Sequence, residues 1–391
     1  MIFEHLKVLE LASVLAGPSA GQFFAELGAE VIKIENLKTQ GDVTRTWKIS
    51  GEKEGDLSAY FCSVNWGKKS LAIDLSRPEG RTIIQTMSAQ ADIVVTSYKP
   101  GDAEKLGVDY KTLSGLNPQL IYGQVTGYGS QNDRVGYDAV IQAEAGFIDL
   151  NGEKNGPPLK MPVALIDVLA GHHLKEGILL SLLKRERTGR GELVEVSLLQ
   201  TAISSLVNQA SNWLVVNKLP TRQGSRHPNI APYGESFATA DGKLVLLAVG
   251  SDRQFADLCV VLGLNALAND DRYSSNPSRV ENREHLNQLL SNKISQFPGE
   301  LLMMKLNTMK IPAGVIQNVK EALDMPEARE LFIHSGDLTG IRNFVGHTER
   351  LTHLLPPPHY GEHTKSVLHS AGFSTTEIEK LEQARIIGSI S

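Results

Sequence analysis

The sequence predicts an α/β protein whose larger domain is built on a mainly parallel sheet. Two observations support this class. Over residues 1–216, short β-rich runs alternate with stretches of helical apolar spacing, which is the pattern of βαβ units. The apolar fraction is 41% and the charged fraction 21%, as in globular chains with a full core. A chain of 391 residues has room for two or three such domains.

Apolar periodicity, together with Gly and Pro at the boundaries, predicts the individual elements of the larger domain. The predicted strands are 7–11, 30–34, 70–74, 92–96, 120–126 and 194–197. The predicted helices are 17–27, 78–89, 139–147, 168–184 and 198–216. Parallel pairing is favoured because a helix of this length between two strands provides the crossover that parallel strands need.

The character of the sequence changes after residue 216. Residues 217–232 are rich in Pro, Gly, Arg and Asn, which is typical of a linker. Two β-rich runs then flank Asp241-Gly242 and predict a hairpin, and helical patterns follow at 253–262, 278–296 and 299–306. We therefore predict a large domain at 1–216, a linker at 217–232, a smaller α+β domain at 233–325, and a return to the large domain at 326–391.

Charge and cysteine content exclude several classes of protein. Lys and Arg number 39 against 44 Asp and Glu, a balance of −5 that disfavours nucleic-acid partners. Two cysteines, Cys62 and Cys259, cannot build a disulfide framework. The charged start does not resemble a signal peptide, and the most apolar stretch, 163–183, holds too many charges for a membrane span. We expect a cytoplasmic protein with no membrane partner.

One carboxylate, Asp167, interrupts an otherwise apolar run at 164–171. Two hypotheses remain open from the residues alone. Asp167 caps a helix that begins at Val168, a position where Asp is favoured, or it is a nucleophile presented beside a cleft. His172 and His173 lack the i, i+4 spacing of paired metal ligands, so no metal site is expected.

The turn at Gly17-Pro18 lies between the first strand and the first helix. Backbone amides at such a helix N-terminus favour an anion, although a tight packing turn explains the same residues. The lysines Lys68, Lys69, Lys99 and Lys105 are solvated surface groups by default, and any two of them brought together would bind phosphates. Neither a dinucleotide fingerprint nor a P-loop is present in the sequence.

Several strings in a fixed order resemble the family III CoA transferases, also called the CaiB/BaiF family. They are Leu15-Ala-Gly-Pro18, Leu27-Gly-Ala-Glu-Val-Ile-Lys-Ile-Glu35, Gly41-Asp42, Asp92-Ile-Val-Val-Thr-Ser-Tyr-Lys-Pro-Gly101, Gly127-Tyr-Gly129, Gly136-Tyr-Asp138, the run 164–171, Arg187-Thr-Gly-Arg-Gly191, Arg226-His-Pro228 and Gly361-Glu-His-Thr364. The resemblance implies a Rossmann-like large domain built from both chain ends, a smaller domain between them, and an interlocked homodimer.

The resemblance also implies a reaction. Asp167 matches the family's nucleophile, which moves CoA from an acyl-CoA donor to a small carboxylic acid through an aspartyl anhydride and an aspartyl-CoA thioester. CoA thioesters are then substrates, and no permanently bound cofactor is expected. The implied CoA contacts are Val14, Leu15, Ala16, Ala72, Leu75, Ser97, Tyr98, Lys99 and Lys105, and the implied substrate-pocket residues are Tyr128 and Tyr137. Leu15 stands where oxalate-type members carry glutamine, so the resemblance does not imply oxalate as the acid.

Two alternatives differ in class from a transferase. The 2-methylacyl-CoA racemases have the same fold as the family III transferases. They carry a Gly-His-Asp motif where this sequence has Gly136-Tyr137-Asp138. A phenol whose ordinary pKa is near 10 is a poor base at neutral pH, which disfavours two-base proton transfer. A CoA-binding protein without enzymatic activity is the second alternative, and the absence of acyl transfer would distinguish it.

Overall fold

The structure is a computed structural model that describes residues 1–346 and 353–388. Its strands are β1 (Lys7–Leu11), β2 (Glu30–Asn36), β3 (Lys68–Ile73), β4 (Ile93–Thr96), β5 (Ile121–Thr126), β6 (Leu193–Ser197), β7 (Tyr233–Ala238), β8 (Leu244–Ala248), β9 (Ala313–Val315), β10 (Phe332–Ser335), β11 (Leu338–Ile341) and β12 (Ile387–Gly388). Its helices are α1 (Ala16–Glu26), α2 (Ala59–Cys62), α3 (Pro78–Ser88), α4 (Asp102–Lys105), α5 (Tyr110–Leu116), α6 (Asp138–Glu144), α7 (Phe147–Leu150), α8 (Leu165–Thr188), α9 (Leu198–Ser204), α10 (Val207–Val216), α11 (Asp252–Leu262), α12 (Asn276–Glu281), α13 (Arg283–Ile294), α14 (Gly299–Thr308), α15 (Val319–Leu323), α16 (Thr364–Ser370) and α17 (Thr375–Gln383).

A seven-stranded sheet in the order β12-β3-β2-β1-β4-β5-β6 organises the larger part of the molecule. Strands β1 to β6 pair in parallel, and β12, from the far end of the chain, is antiparallel to β3. The order 3-2-1-4-5-6 is that of a doubly wound sheet, in which the chain reverses its direction of travel between β1 and β4. The prediction of an α/β fold on a mainly parallel sheet is confirmed.

Both faces of this sheet are buried, which explains why its strands are apolar along their length. In β1, Val8 belongs to a core on one face with α1 and α8, and Leu9 belongs to a core on the other face with α3. Side chains that alternate in this way from one strand feed two separate cores. The sheet is therefore sandwiched between two layers of helices.

The chain divides into two compact units. The first comprises Met1–Phe147, Met161–Ala210 and Glu330–Ser391, and the second comprises Ile148–Lys160 and Ser211–Arg329. The second unit contains the antiparallel sheet β7-β8-β9, whose first two strands form the expected hairpin, and a core shared with α11, α13 and α14. The predicted division placed 148–160 in the large domain, whereas contacts group this segment with the second unit.

Two predicted helices are broken in the structure. The helix expected at 198–216 is split into α9 and α10, because Val207 adopts a left-handed backbone with φ of 43°. The helix expected at 278–296 is split into α12 and α13 at Asn282, which ends the first and begins the second. Both breaks occur without a Gly or Pro at the break, so residue type alone does not reveal them.

Helix α8 begins three residues earlier than the sequence pattern suggests. It runs over 24 residues from Leu165 and ends at Gly189, whose φ of 66° is typical of a helix C-terminus. The early start places Asp167 inside the helix, in its first turn. Within the described residues, no helix, α8 included, has the length and apolar character needed to cross a bilayer.

A cluster of buried charges joins the first three strands. Lys33 of β2 lies 3.0 Å from Glu10 of β1 and 2.9 Å from Asp42, and Lys68 of β3 lies 2.7 Å from Glu10. Lys68 also donates to the carbonyl oxygen of Pro18 in α1, at 2.8 Å. Such charges are tolerated inside a protein only when each one is paired. The cluster therefore fixes the register of three neighbouring strands.

We predict that Lys68→Met lowers the free energy of unfolding by roughly 3–5 kcal/mol, because the change leaves Glu10 under-neutralised in the interior. The next residue of the same strand, Lys69, is about one-third exposed and pairs with Glu30 at 2.6 Å. Lys69→Met is the matched control and should cost less than about 1 kcal/mol. Urea unfolding at one fixed protein concentration measures both. Equal losses in the two variants would show that the buried cluster contributes no more than a surface pair.

Candidate functional site

A cavity of about 210 Å³ opens at the carboxyl ends of β1, β4 and β5. Its walls are residues 13–17, 97–100, 125–127 and 134–138, together with Val43, Asp167 and Leu198. The loops that follow β1 and β4 both contribute, and Ser13 donates its amide hydrogen to Ser97 Oγ at 3.1 Å between them. We call it the smaller cavity, because a larger one adjoins it. It lies where the strand order of the doubly wound sheet reverses, the usual place for a ligand in such folds.

Asp167 enters this cavity from the first turn of α8. Its carboxylate does not cap the helix, because α8 begins at Leu165 and its N-cap is Ala164, which makes no side-chain capping bond. The cap hypothesis for Asp167 was therefore wrong. Asp167 is the third residue of α8, and the helix N-terminus still favours its negative charge. Because its carboxylate caps no backbone amide, it remains available for other chemistry.

Close packing of two helices brings Asp167 beside the N-terminus of α1. A Cβ on Gly171, one turn after Asp167, would lie 2.2 Å from Ser19 Oγ and 3.0 Å from the carbonyl oxygen of Ala16. A Cβ on Gly17 would lie 2.4 Å from that of Ala12. Only glycine permits these approaches. The spacing of Asp167 and Gly171 therefore places the carboxylate and the contact with α1 on the same face of α8.

The electrostatics of Asp167 are unusual for a carboxylate. The residue is only 8% exposed. Its carboxylate accepts no hydrogen bond from any residue within 1–346 or 353–388. Burial raises its pKa to about 7, and the negative charge of Asp138 acts in the same direction. Near neutral pH the group therefore exists in both protonation states, as is common for functional carboxylates.

The wall opposite Asp167 is the strained loop before α1. Val14 has φ of 72°, which is a costly conformation for a β-branched residue. Its amide hydrogen is held by Asp42, whose carboxylate oxygens lie 3.3 and 3.4 Å from the nitrogen. The N-cap of α1, Leu15, makes no side-chain capping bond. The first turn of α1 thus lines the cavity with amides that no side chain caps, which favours a negative group there.

A larger cavity of about 570 Å³ adjoins the smaller one. The two share Ser13, Val43 and Tyr98 in their walls. The larger cavity continues past Leu75, Ser76 and the loop 38–43. Together they form a groove, and Asp167 lines its smaller part.

The structure brings most of the expected site residues to this groove. Val14, Leu15, Ala16, Ser97, Lys99 and Tyr137 line the smaller cavity with Asp167, Leu75 lines the larger one, and Tyr98 lines both. Ala72 is fully buried inside β3, and its amide donates to Thr364 Oγ1 at 3.1 Å. Lys105 is exposed and pairs with Asp102 at 2.9 Å. Tyr128 packs beneath Arg134, whose guanidinium carbon lies 4.2 Å from its ring centre.

Comparison with known proteins assigns this geometry to a family. The model of CoA-transferase family III matches residues 3–364. The chain belongs to CoA-transferase family III. A succinate–glutarate CoA-transferase of Agrobacterium fabrum is 36% identical over 97% of this chain and 96% of its own. The succinyl-CoA:glutarate CoA-transferase of Homo sapiens is 33% identical over 93% and 85%. A CaiB/BaiF family protein of Brucella suis has a solved structure with a TM-score of 0.81 and 36% identity, covering 94% of this chain and 98% of that one.

The predicted resemblance and the predicted enzyme class are confirmed by these relatives. The protein is a family III CoA-transferase, an enzyme class whose substrates are CoA thioesters and carboxylates. The racemase alternative is not favoured, because the curated relatives are named as CoA-transferases.

Sequence reasoning missed four groups of this family III site. Asp138 and Arg134 line the smaller cavity, and Lys38 lines the larger one. Tyr60, half-buried against Trp47, has its pKa raised by burial and by the charges of Asp167, Asp138 and Asp42. Asp138 belongs to the motif Gly136-Tyr137-Asp138, which marks it as a candidate, but only Tyr137 of that motif was weighed as a functional group. Lys38, Tyr60 and Arg134 carry no such local signal.

Proposed function

We propose that the enzyme transfers CoA between an acyl-CoA and a small dicarboxylic acid, with the carboxylate of Asp167 as nucleophile. One observation carries the assignment. A carboxylate that is nine-tenths buried, without a hydrogen-bond donor in the described chain, lines the smaller of two adjoining cavities. Structural carboxylates of this fold are paired, as Glu10 is, whereas Asp167 is left free to react.

The reaction proceeds by exchange of bonds at two carbonyl carbons. An oxygen of Asp167 attacks the donor thioester, the C–S bond breaks, and CoA thiolate leaves a mixed anhydride. The thiolate attacks the aspartyl carbonyl, the C–O bond breaks, and the donor acid departs as a carboxylate. The acceptor carboxylate then expels the thiolate from the aspartyl-CoA thioester, and the thiolate attacks the acceptor's acyl carbonyl, which restores Asp167.

None of these steps needs a net proton transfer, since every nucleophile and every leaving group is an anion. The described walls of the smaller cavity agree with this chemistry, because they contain no histidine to act as a base. A two-base racemase would need such a group. Water must be kept from the anhydride, and the burial of Asp167, which is 8% exposed, serves that purpose.

The shape of the groove suggests how CoA binds. We place the nucleotide end in the larger cavity, beside Leu75 and Tyr98, and the thioester in the smaller one, beside Asp167. Lys38, 62% exposed at its side chain, lines the larger cavity and is near the expected phosphates. Lys99 lies where the two cavities meet at Tyr98. Lysines bind phosphate as point charges without strict geometry.

The acid substrate is proposed to carry a second carboxylate. Lys99 and Arg134 both line the smaller cavity and supply positive charge there, although the guanidinium of Arg134 also pairs with Glu144. The Agrobacterium and human relatives act on succinate or succinyl-CoA and on glutarate, according to their names. A short dicarboxylate would place one carboxylate at Asp167 and the other at these cations. Leu15 at the wall argues for an aliphatic chain between them.

We also propose that two copies of the chain form a homodimer. Helix α10 exposes Trp213, Leu214, Val215 and Val216 in succession, with Leu214 and Val215 about three-quarters exposed. Helix α8 exposes Leu180 and Leu183 on the side opposite its buried residues. Apolar side chains exposed in this way on a globular chain mark an interface. An interlocked arrangement, as in the family, would bury both helices.

Sedimentation velocity at micromolar protein should show a dimer and no folded monomer. Replacing Leu214 and Val215 together with Asp should shift the protein toward smaller or unfolded species, because charge in a buried apolar interface is costly. Val319→Asp is the control, since Val319 is equally exposed but lies on another helix. A folded, active monomer of the wild type would contradict the proposal.

Replacing Asp167 with Asn should give a folded enzyme whose turnover is about a thousandfold lower or worse, because an amide cannot form the anhydride. Hydroxylamine should trap the acyl group on the wild type after incubation with acyl-CoA, and should trap none on the variant. Asp337→Asn, an exposed aspartate in the turn between β10 and β11, is the control. Near-normal transfer by a well-folded Asp167→Asn variant would remove Asp167 from the mechanism.

Replacing Lys99 and Lys105 together with Ala should raise the KM for acyl-CoA by about tenfold or more. It should also raise the KM for a dicarboxylate more than that for a monocarboxylate, because Lys99 lines the part of the cavity assigned to the acid. The single variants divide the effect, and Lys99 should account for most of it because it lines the groove. Lys111→Ala, a surface lysine of α5, is the control. If acyl-CoA affinity stays the same in the double variant, both lysines are only solvated surface groups.

A further inference from the structure

A second buried carboxylate, Asp138, lines the smaller cavity together with Asp167. It is the first residue of α6 and is 8% exposed. Its Oδ1 accepts the amide hydrogen of Ile166 at 2.8 Å. Ile166 directly precedes Asp167 in the first turn of α8, where the N-cap provides no side-chain acceptor. Asp138 therefore supplies, from another helix, the acceptor that this helix start lacks.

The carboxylate of Asp138 is itself held in place. Its Oδ2 accepts from Gln142 Nε2 at 2.7 Å, and Gln142 is fully buried. Gln142 in turn accepts the amide hydrogen of Met161 at 3.0 Å, in the segment that leads into α8. The chain of hydrogen bonds thus fixes Asp138 against both the start of α8 and the residues before it. Neither oxygen of Asp138 can turn toward a ligand without breaking one of these bonds.

We propose, building on the nucleophile assigned above, that Asp138 is a positioning residue for Asp167 that fixes the first turn of α8 and acts on the nucleophile through its negative charge. Two carboxylates lining one small cavity repel each other. The attack of Asp167 on a thioester moves negative charge away from Asp138 and onto the departing sulfur. Repulsion present before the reaction is relieved as the anhydride forms, so it favours the forward step.

The charge of Asp138 is one of a few charges near Asp167. The charge of Asp138 raises the pKa of Asp167 together with burial. The other titratable groups around the cavity are Tyr60 of α2, Tyr98 and Lys99 after β4, and Arg134 and Tyr137 before α6. On α8 itself the next titratable side chains, His172 and His173, are exposed. The first turn of α1 contributes amides and no acidic side chain.

Two substitutions separate the charge of Asp138 from its geometry. Asp138→Asn keeps an oxygen for the Ile166 amide and removes the charge together with the bond from Gln142 Nε2, whereas Asp138→Glu keeps the charge and displaces it by one methylene. Loss of the Gln142 bond alone would lower activity without moving the pH midpoint. Asp109→Asn is the matched control. Asp109 caps α5 by accepting from the Thr112 amide at 3.0 Å, and it lines neither cavity. The measurement is kcat/KM for the acyl-CoA donor from pH 5.5 to 9, with folding followed by circular dichroism.

The wild type should lose activity as the pH falls through about 7, because Asp167 takes up a proton there. In Asp138→Asn this midpoint should fall by about half a pH unit or more, since an opposing charge is gone. At pH 8 its kcat/KM should be about twofold to threefold lower, because a less basic carboxylate is a weaker nucleophile and half a pKa unit corresponds to at most about threefold in rate. Asp138→Glu should keep the wild-type midpoint with a reduced kcat. Titration of the CoA phosphate is common to all variants and cancels in the comparison.

An Asp138→Asn profile that is lower at every pH but has an unmoved midpoint would overturn the proposal and leave Asp138 a structural residue. If Asp138→Asn does not fold, the Asp138→Glu variant is the test. A kcat equal to that of the wild type, or a pH midpoint below that of the wild type, would then contradict the positioning role. Activity in Asp167→Asn is a different result, since it removes the nucleophile and with it the proposed function. Asp109→Asn should match the wild type throughout.

Discussion

The buried ion cluster around Lys33 is the interaction that links the sheet to the active site. Lys33 pairs with Glu10 of the neighbouring strand and with Asp42, and its Nζ also donates to the carbonyl oxygen of Ala12. Asp42 in turn holds the amide of Val14 in its left-handed conformation. A strained backbone persists only where its surroundings over-determine it. The loop that faces Asp167 thus owes its shape to charges placed inside the sheet, so a change at Lys33 should affect the cavity although Lys33 lines only the larger part of the groove.

Buried carboxylates in this protein fall into two kinds, which differ in their partners. Glu10, Glu35 and Asp42 each lie against a lysine or an arginine at 2.7–3.0 Å, so their charge is compensated within the fold. Within the described residues, neither Asp167 nor Asp138 has such a cationic partner. Asp138 is instead held by hydrogen bonds from the Ile166 amide and from Gln142 Nε2, whereas Asp167 accepts none. An uncompensated buried charge costs stability, and here the adjoining helix N-termini favour a negative group. In the proposed mechanism this cost has a use, because the burial that raises the pKa of Asp167 also makes its carboxylate a better nucleophile.

The sequence predicted those features that are encoded in local patterns. Alternating apolar runs identified the strands of the parallel sheet. The aspartate in an apolar run made Asp167 a candidate, but its role as nucleophile was implied only by the resemblance to family III. The start of α8 was misplaced because its N-cap, Ala164, is a residue type that carries no capping signal, and the true acceptor, Asp138, lies 28 residues away in the chain. The ion cluster was missed for the same reason: Glu10, Lys33 and Lys68 become neighbours only when three strands pair in parallel. Contacts that depend on sheet order are not visible in periodicity.

The position of the groove explains why the reaction needs so little dedicated machinery. In a doubly wound sheet the loops after β1 and β4 diverge at the reversal of strand order, and this leaves a crevice without any special insertion. Here Gly171 lets α8 lie close against α1, which brings a helix N-terminus and a carboxylate to the same cavity. Negative charge that develops on a thioester oxygen during attack would then face amides already oriented by α1, at no cost of reorganisation. Because Asp167 and the start of α1 lie on two helices that pack closely together, the proposed mechanism takes its alignment from the fold, and we expect substrate choice to depend on the loops at 97–100 and 134–137.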